Sequence, residues 1–182
     1  MAPNPESTAA PARITLLCLD VDGVLTDGSI IVDASGEESK RFSVRDGLGI
    51  KAWLRCGNRL AVVTGRGGPA LRHRMSELGV DLVHERVTDK AAVVRELQRS
   101  LGVTPEATAF MGDDLADLPG FEAAGYALAP ADADPVVRER AAWVAGTDGG
   151  RGAVREAVEH LLRARGEWDA VVAEHLGTGD LA

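Results

Sequence analysis

The chain has 182 residues, which is enough for one domain with a substantial apolar core but short for two domains. Its formal net charge of -8 and its isoelectric point near 5.0 exclude a nucleic-acid backbone as the main partner, because phosphate binding needs clustered Lys and Arg. No apolar run approaches the roughly 18 residues that a membrane span requires, and two cysteines indicate reduced thiols in the cytoplasm rather than a disulfide framework.

The two ends of the chain lack the patterns that predict regular structure. Residues 1–12 are rich in Ala and Pro, so we expect a disordered tail rather than a signal peptide. Residues 167–182 show no sustained periodicity and are predicted to form a mobile tail. The folded domain is therefore expected to span residues 13–166.

The stretch over residues 14–28 organises the predicted fold. A short apolar run with β-branched flanks predicts a buried strand of a parallel sheet, which delivers Asp20 and Asp22 to its carboxyl end. Residues two apart in an extended chain share a face, so the two carboxylates would point the same way. Gly23 then allows the backbone to turn over the site. Ligands bind at this end of the strands in open α/β sheets, which makes it the candidate functional site.

A β-hairpin is predicted over residues 29–44, with Gly36 in its turn. It follows the first strand directly and is expected to project over the site. The next segment leads into a helix that ends at Gly57. Arg45 and Asp46, at the start of this helix, are as compatible with a capping pair as with a functional pair.

Two further segments place polar groups at the same edge of the predicted sheet. Thr64, Gly65 and Arg66 follow a second buried strand, and a hydroxyl beside exposed amides and a helix N-terminus can form a phosphate cradle. Lys90 lies in the first turn of a later helix, where a cation opposes the helix dipole. We therefore expect an anionic group close to Lys90.

A cluster of carboxylates follows the strand predicted over residues 108–111. Asp113, Asp114 and Asp117 would repel one another unless they shared a cation. Oxygen ligands without cysteine favour magnesium, and the alternative is a solvated acidic loop. Strands and helices continue to alternate up to Gly166, which predicts a single α/β unit with helices between parallel strands.

The ordered set of strand-end motifs resembles that of the haloacid dehalogenase (HAD) phosphohydrolases. The finer resemblance is to the capless 3-deoxy-D-manno-octulosonate 8-phosphate (KDO 8-P) phosphatases. It covers residues 14 to about 165 through the motifs DVDGVLTDG, FSVRDGLGIKAW, TGR, GDDLADLP and GGRGAVRE. The resemblance implies a Rossmann-like HAD core, in which a parallel sheet is flanked by helices and a β-hairpin flap replaces a cap domain. It also implies a cytoplasmic enzyme of lipopolysaccharide biosynthesis.

The resemblance also assigns roles to residues of this chain. It implies that Asp20 is the nucleophile, Asp22 the acid/base, and Thr64 and Lys90 the phosphate binders. The implied magnesium (Mg²⁺) ligands are Asp20, the Asp22 carbonyl and Asp113. The implied contacts to the sugar-acid phosphate are Asp22, Ser43, Val44, Arg45, Asp46, Gly47, Lys51, Arg66, Arg74 and Lys90. Lys51 stands where relatives frequently carry Arg, which keeps the charge but not bidentate carboxylate binding.

Several alternatives remain open at the level of sequence. The substrate could instead be a nine-carbon sialic-acid-type 9-phosphate, since it also presents a carboxylate and a polyol chain. The chain could also be a catalytically silent HAD-like subunit that binds a partner, although the intact acid, hydroxyl and lysine set argues against this. A phosphosugar phosphotransferase is disfavoured because nothing resembles its cap. The resemblance further implies a homotetramer in which the flap hairpin of one subunit completes the neighbour's site.

Overall fold

The central sheet of the protein, seen in a computed structural model that describes residues 11–177, contains six parallel strands. Two further strands, β2 and β3, form a separate hairpin. The strands are β1 (Leu16–Leu19), β2 (Ile31–Val32), β3 (Glu38–Ser39), β4 (Arg59–Val63), β5 (Leu82–His84), β6 (Thr108–Met111), β7 (Tyr126–Ala129) and β8 (Trp143–Val144). The order in the sheet is β5-β4-β1-β6-β7-β8.

The register of the sheet brings the predicted site residues to one edge. β1 lies between β4 and β6, and Leu19 pairs with Val62 on one side and with Met111 on the other. All three strands run parallel, so their carboxyl ends lie side by side. The segments that follow them carry Asp20, Thr64 and Asp113.

Seven α-helices are present among residues 11–177. They are α1 (Val44–Arg55), α2 (Pro69–Leu78), α3 (Lys90–Leu101), α4 (Leu118–Ala123), α5 (Pro135–Arg140), α6 (Ala153–Ala164) and α7 (Trp168–His175). None of these helices is long and apolar enough to cross a membrane.

Apolar side chains are buried on both faces of the sheet, as expected of parallel strands. Leu17 and Leu19 of β1 belong to a core cluster with residues of α1, α2 and α6. Leu16 and Cys18 belong to a second cluster with residues of α3, α4 and α5. The alternation along β1 therefore packs helices against both faces and leaves the strand ends free for the site.

The predicted hairpin is present but short. β2 and β3 pair antiparallel through only two residues each, Ile31 with Ser39 and Val32 with Glu38. The exposed fractions of Ile30, Ile31 and Val32 are 62%, 48% and 54%. Within the described residues, this hairpin is the only element inserted between β1 and α1.

The structure differs from the sequence prediction at the C-terminal end. Residues after 166 were expected to form a mobile tail, but Trp168–His175 is a helix. Trp168 and Val171 are buried, and the Arg155 guanidinium lies 4.7 Å from the centre of the Trp168 ring. The helix is thus part of the domain, because two apolar residues three positions apart share one face. At the other end Pro11–Arg13 forms a 3₁₀ turn, and residues 1–10 and 178–182 lie outside the described part.

Candidate active site

A cleft of about 480 Å³ lies at the carboxyl ends of β1, β4 and β6. Its polar lining includes the side chains predicted from the strand ends, namely Asp20, Asp22, Thr64, Arg66, Lys90 and Asp113. Residues separated by more than ninety positions in the sequence thus meet in one place. The parallel register of the three strands is the reason, since it aligns their ends.

Asp20 and Lys90 form a buried ion pair at the bottom of this cleft. Asp20 Oδ1 lies 2.9 Å from Lys90 Nζ, and both residues are only 6% exposed. Lys90 Nζ also donates to Asp117 Oδ1. Burial alone would lower the pKa of Lys90, but the two carboxylates outweigh it and the pKa is raised. Lys90 is therefore held as a cation, which explains why it is tolerated in the first turn of α3.

Asp117 ties the acidic loop together. Its Oδ2 atom accepts from the backbone N–H of Asp113 at 2.9 Å and from that of Asp114 at 3.2 Å. Its Oδ1 atom is bonded to Lys90, and the residue is 1% exposed. Asp117 thus fixes both the loop that carries Asp113 and the ammonium group that faces Asp20.

The carboxylates of Asp20, Asp113 and Asp117 converge. One oxygen from each can be chosen so that all three lie within 4.8 Å of one another. The pKa of Asp113 is raised to about 8, mainly by burial and secondly by repulsion from the neighbouring aspartates. The pKa of Asp20 is raised to about 6, mainly by burial and secondly by repulsion from Asp117, although Lys90 acts in the opposite direction.

This donor set fits a hard divalent cation. It supplies only oxygen ligands, and it concentrates negative charge where residues 11–177 provide a single contacting ammonium group, that of Lys90. Gly23 makes room for the cluster, because a Cβ atom at this position would collide with the Asp113 carboxylate. The Asp22 carboxylate is not part of the cluster, and its predicted ligand atom is the backbone carbonyl.

The Asp22 side chain is held by the predicted contact residue Arg66 and by two residues outside the predicted set, Lys40 and Glu38. Lys40 Nζ donates to Asp22 Oδ1, and Arg66 Nε lies 3.6 Å from Asp22 Oδ2. Glu38 bridges the two cations, at 3.0 Å from Lys40 and 2.7 Å from Arg66. Both oxygens of Asp22 therefore face a positive charge that is tied to the hairpin.

The environment of Thr64 differs in part from the predicted phosphate cradle. The Thr64 hydroxyl is buried, lines the cleft and accepts from the Arg66 N–H at 3.2 Å. The N-terminus of α2 does not contribute a free amide at Gly68, because its N–H donates to Glu85 Oε1 at 2.9 Å. The hydroxyl and the turn after β4 remain available to a phosphate, whereas Glu85 closes off the start of the helix.

All of the predicted substrate contacts at the start of α1, on α1 and on α2 lie outside the cleft of a single chain. Ser43 caps α1 by accepting from two backbone N–H groups, and Val44 is 81% exposed. The residues predicted as substrate contacts that are absent from the cleft lining are Ser43, Val44, Arg45, Asp46, Gly47, Lys51 and Arg74. Within one subunit these seven residues do not line the cleft, so their contacts to the substrate stay a prediction.

Asp46 and Lys51 lie in other parts of the structure, and each has a different environment there. Asp46 is 1% exposed, and its Oδ1 accepts from the Arg155 N–H at 2.9 Å near the start of α6. Asp46 thus takes the place of a side-chain cap, which Gly152 cannot supply. Lys51 lines another groove, of about 550 Å³, that shares no lining residue with the cleft.

Two glycines in the loop before α6 pack against the loop that follows β1. The Gly150 N–H donates to the Val24 carbonyl at 2.9 Å, and Gly150 has a φ of +64°. A Cβ at Gly149 or Gly150 would collide with the backbone of the loop after β1. The glycine-rich motif is evident in the sequence, but its contact with the loop after β1 is not, because only the fold brings residues 149–150 against residues 23–26.

The fold and the acidic strand ends define a class of protein, the HAD-like hydrolases. The profile of the haloacid dehalogenase-like hydrolase family matches residues 80–157. A Haemophilus influenzae KDO 8-P phosphatase is 44% identical over 155 residues, which cover 85% of this chain and 86% of that protein. The chain therefore belongs to the KDO 8-P phosphatase family, and the predicted family and fold are confirmed.

Solved structures show the same relationship. A KDO 8-P phosphatase from Moraxella catarrhalis, in complex with magnesium, phosphate and KDO, has a TM-score of 0.90 and 35% identity, and the match covers 93% of this chain and 98% of that one. The cobalt-bound H. influenzae phosphatase has a TM-score of 0.88 and 42% identity, with 92% and 98% coverage. The likeness thus extends over nearly the whole of each chain.

Proposed function

We propose that this protein is a magnesium-dependent phosphatase that hydrolyses KDO 8-P to KDO and phosphate. One observation carries the proposal: the buried Asp20 carboxylate lies beside Lys90 and Asp113, in a cleft that also holds Asp22 and Thr64. This arrangement combines a nucleophile, cationic charge and a cation-binding cluster within reach of one phosphate. The chain's membership of the KDO 8-P phosphatase family supports the choice of substrate.

The proposed magnesium ligands are Asp20, Asp113 and the Asp22 carbonyl. When bound, magnesium supplies a positive charge that offsets the repulsion between the Asp20 carboxylate and the phosphate dianion. That repulsion amounts to about 8 kcal/mol for two charge units at ~4 Å and an effective dielectric constant of ~20. Left unopposed, it would slow the reaction by roughly six orders of magnitude.

In the first proposed step, an Asp20 oxygen attacks the phosphorus atom and the bond to the sugar oxygen breaks. Asp22 gives its proton to that oxygen, because an alkoxide is a poor leaving group. Lys90 and the Thr64 hydroxyl contact the phosphate oxygens and stabilise the charge that is transferred. The products of this step are KDO and a phosphorylated Asp20.

In the second proposed step, water attacks the phosphorus atom of the phosphorylated Asp20. Asp22, now a carboxylate, takes a proton from this water, and the bond between phosphorus and Asp20 breaks. Phosphate leaves and Asp20 is restored. Asp22 therefore serves once as acid and once as base, which requires that its carboxylate keep the same orientation in both steps.

We further propose that the protein is a homotetramer, in which the hairpin of one subunit completes the site of its neighbour. The cleft is open in a single chain, and an open site gives little means to exclude water or select a sugar. The exposed side chains of Ile30, Ile31 and Val32 support a contact between subunits. Such a contact also brings the residues around Arg45 toward the cleft of the neighbouring subunit. Analytical ultracentrifugation at the assay concentration tests the assembly, and a monomer that is fully active at that concentration would contradict the proposal. A variant with the hairpin shortened over residues 32–37 that still assembled normally would contradict it as well.

The proposed activity is tested by phosphate release from KDO 8-P, with magnesium and with excess EDTA. We expect turnover only with magnesium. A sialic-acid-type 9-phosphate is the matched competitor, because it presents the same carboxylate and a longer polyol. Higher kcat/KM for the nine-carbon substrate would replace the proposed substrate, whereas no release from either one would favour a silent binding subunit.

We propose the cytoplasm as the site of the reaction. The support is that both cysteines of the chain are unpaired, with Cys18 buried and Cys56 half-buried. Unpaired thiols are typical of reducing compartments. Fractionation of cells that produce the native protein tests this, and recovery from an oxidising compartment would contradict it.

A further inference from the structure

Lys40 is the least exposed charged residue of the flap segment, and the mechanism above gives it no role. It follows β3 directly, and its side chain is only 5% exposed although the hairpin itself lies at the surface. Its ammonium group contacts Asp22 and Glu38. An ammonium group removed from water is costly unless it is paired, so these contacts are needed to keep Lys40 buried.

Lys40 and three neighbouring charged groups form a closed arrangement. Glu38 uses one oxygen for Lys40 and the other for Arg66, while Asp22 uses one oxygen for each of the same two cations. Two negative and two positive groups balance, so the arrangement as a whole carries no net charge. The contrast with neighbouring Arg41 is informative, since Arg41 is 68% exposed and pairs with Asp27 instead.

We infer that Lys40 is a positioning residue for Asp22, and that with Glu38 it makes the orientation of the acid/base depend on the folded hairpin. The carboxylate torsion of an aspartate is broad when nothing contacts it. The ammonium group of Lys40 on Oδ1 fixes the plane of the carboxylate, so that Oδ2, which lies 3.6 Å from Arg66 Nε, keeps one orientation toward the leaving group in one step and toward water in the next. This inference rests on the proposed role of Asp22.

The test exploits the different needs of two leaving groups. The 8-oxygen of KDO must be protonated as it leaves, whereas p-nitrophenolate leaves without a proton. For both substrates kcat/KM reports events up to the formation of the phosphorylated Asp20. A residue that orients the acid should therefore affect one substrate, and a residue that maintains the fold or the phosphate site should affect both.

We expect Lys40→Met to lower kcat/KM for KDO 8-P by about 100-fold and for p-nitrophenyl phosphate by less than about threefold, given the usual contribution of a general acid. Lys40→Arg should restore most of the loss, because it returns a cation to the hairpin. Arg41→Met is the matched control, and it should leave both values unchanged. Thermal unfolding of each variant checks that the fold is intact.

Equal losses on the two substrates, or no loss on either, would overturn the inference. If Lys40→Met does not fold, Glu38→Gln provides the same test, because it removes the negative charge from one of the two groups that hold the ammonium group. A wild-type protein that cleaves p-nitrophenyl phosphate but not KDO 8-P would refute the proposed substrate instead. In that case ribose 5-phosphate serves as the alkyl phosphate, and the comparison still decides the role of Lys40.

Discussion

Replacement of Asp113 by Asn tests the metal site through stability as well as activity. The amide has nearly the same shape, so its packing against Gly23 is kept while the charge is removed. In the metal-free protein, Asp113 is repelled by Asp20 and Asp117, whose oxygens lie within 4.8 Å. We therefore expect Asp113→Asn to stabilise the metal-free protein and to abolish the stabilisation by magnesium.

The size of the effect follows from the pKa of Asp113. This pKa rises from an ordinary value of 3.8 to about 8 on folding, so between these values the folded state binds more protons than the unfolded state. The free energy of unfolding of the wild type therefore falls as pH rises through this window. Compared with its value at a pH well below 3.8, the free energy of unfolding is lower by about 2 kcal/mol at pH 5.5 and by about 4 kcal/mol at pH 7. A direct estimate of about 3.5 kcal/mol for each like-charge pair at 4.8 Å and a dielectric constant of ~20 is of the same order.

The measurement is urea unfolding of wild type and variant at pH 5.5 and 7, with EDTA and with magnesium. Without magnesium the variant should be more stable, and its advantage should grow with pH. Magnesium at 100 times its dissociation constant should add about 2.7 kcal/mol to the wild type alone. Asp81→Asn, at an exposed position, is the control. A metal-free variant that is less stable than the wild type at pH 7 would refute the argument, because the Asp113 charge would then be stabilising.

The remaining predictions concern the nucleophile, its cation and the supporting loop. Asp20→Asn should fold normally and release phosphate at less than about one per cent of the wild-type rate, since an amide cannot replace the nucleophile; a higher rate would count against covalent catalysis. Lys90→Met should lose about 3–5 kcal/mol of stability in EDTA, because a buried charge pair loses one partner, and its kcat/KM should fall at least about 100-fold; normal kinetics in a destabilised variant would make Lys90 purely structural. Gly150→Ala should lose at least about 1 kcal/mol and much of its activity, because its Cβ collides with Thr26. Gly166→Ala has a similar positive φ but open space, so it measures backbone strain alone.

The sequence by itself was sufficient to predict the class of fold and the centre of the site. Short apolar runs with polar groups at their ends predict parallel strands, and the ends of parallel strands must share an edge of the sheet. The positions of Asp20, Thr64 and Asp113 therefore needed no knowledge of packing. Lys90 was predicted by a local contradiction, since a cation in the first turn of a helix requires a nearby anion.

Only the tertiary structure decided which partners these residues have. Lys40 lies on a short surface hairpin, where a lysine has no sequence feature that distinguishes it from an ordinary edge charge. The same is true of Asp46, whose partner Arg155 is more than one hundred residues away. The fold also packs Trp168 against Arg155 and so orders a segment that was expected to be mobile. Periodicity and turn chemistry are local properties of a sequence, but the contacts that orient a side chain depend on where distant segments meet.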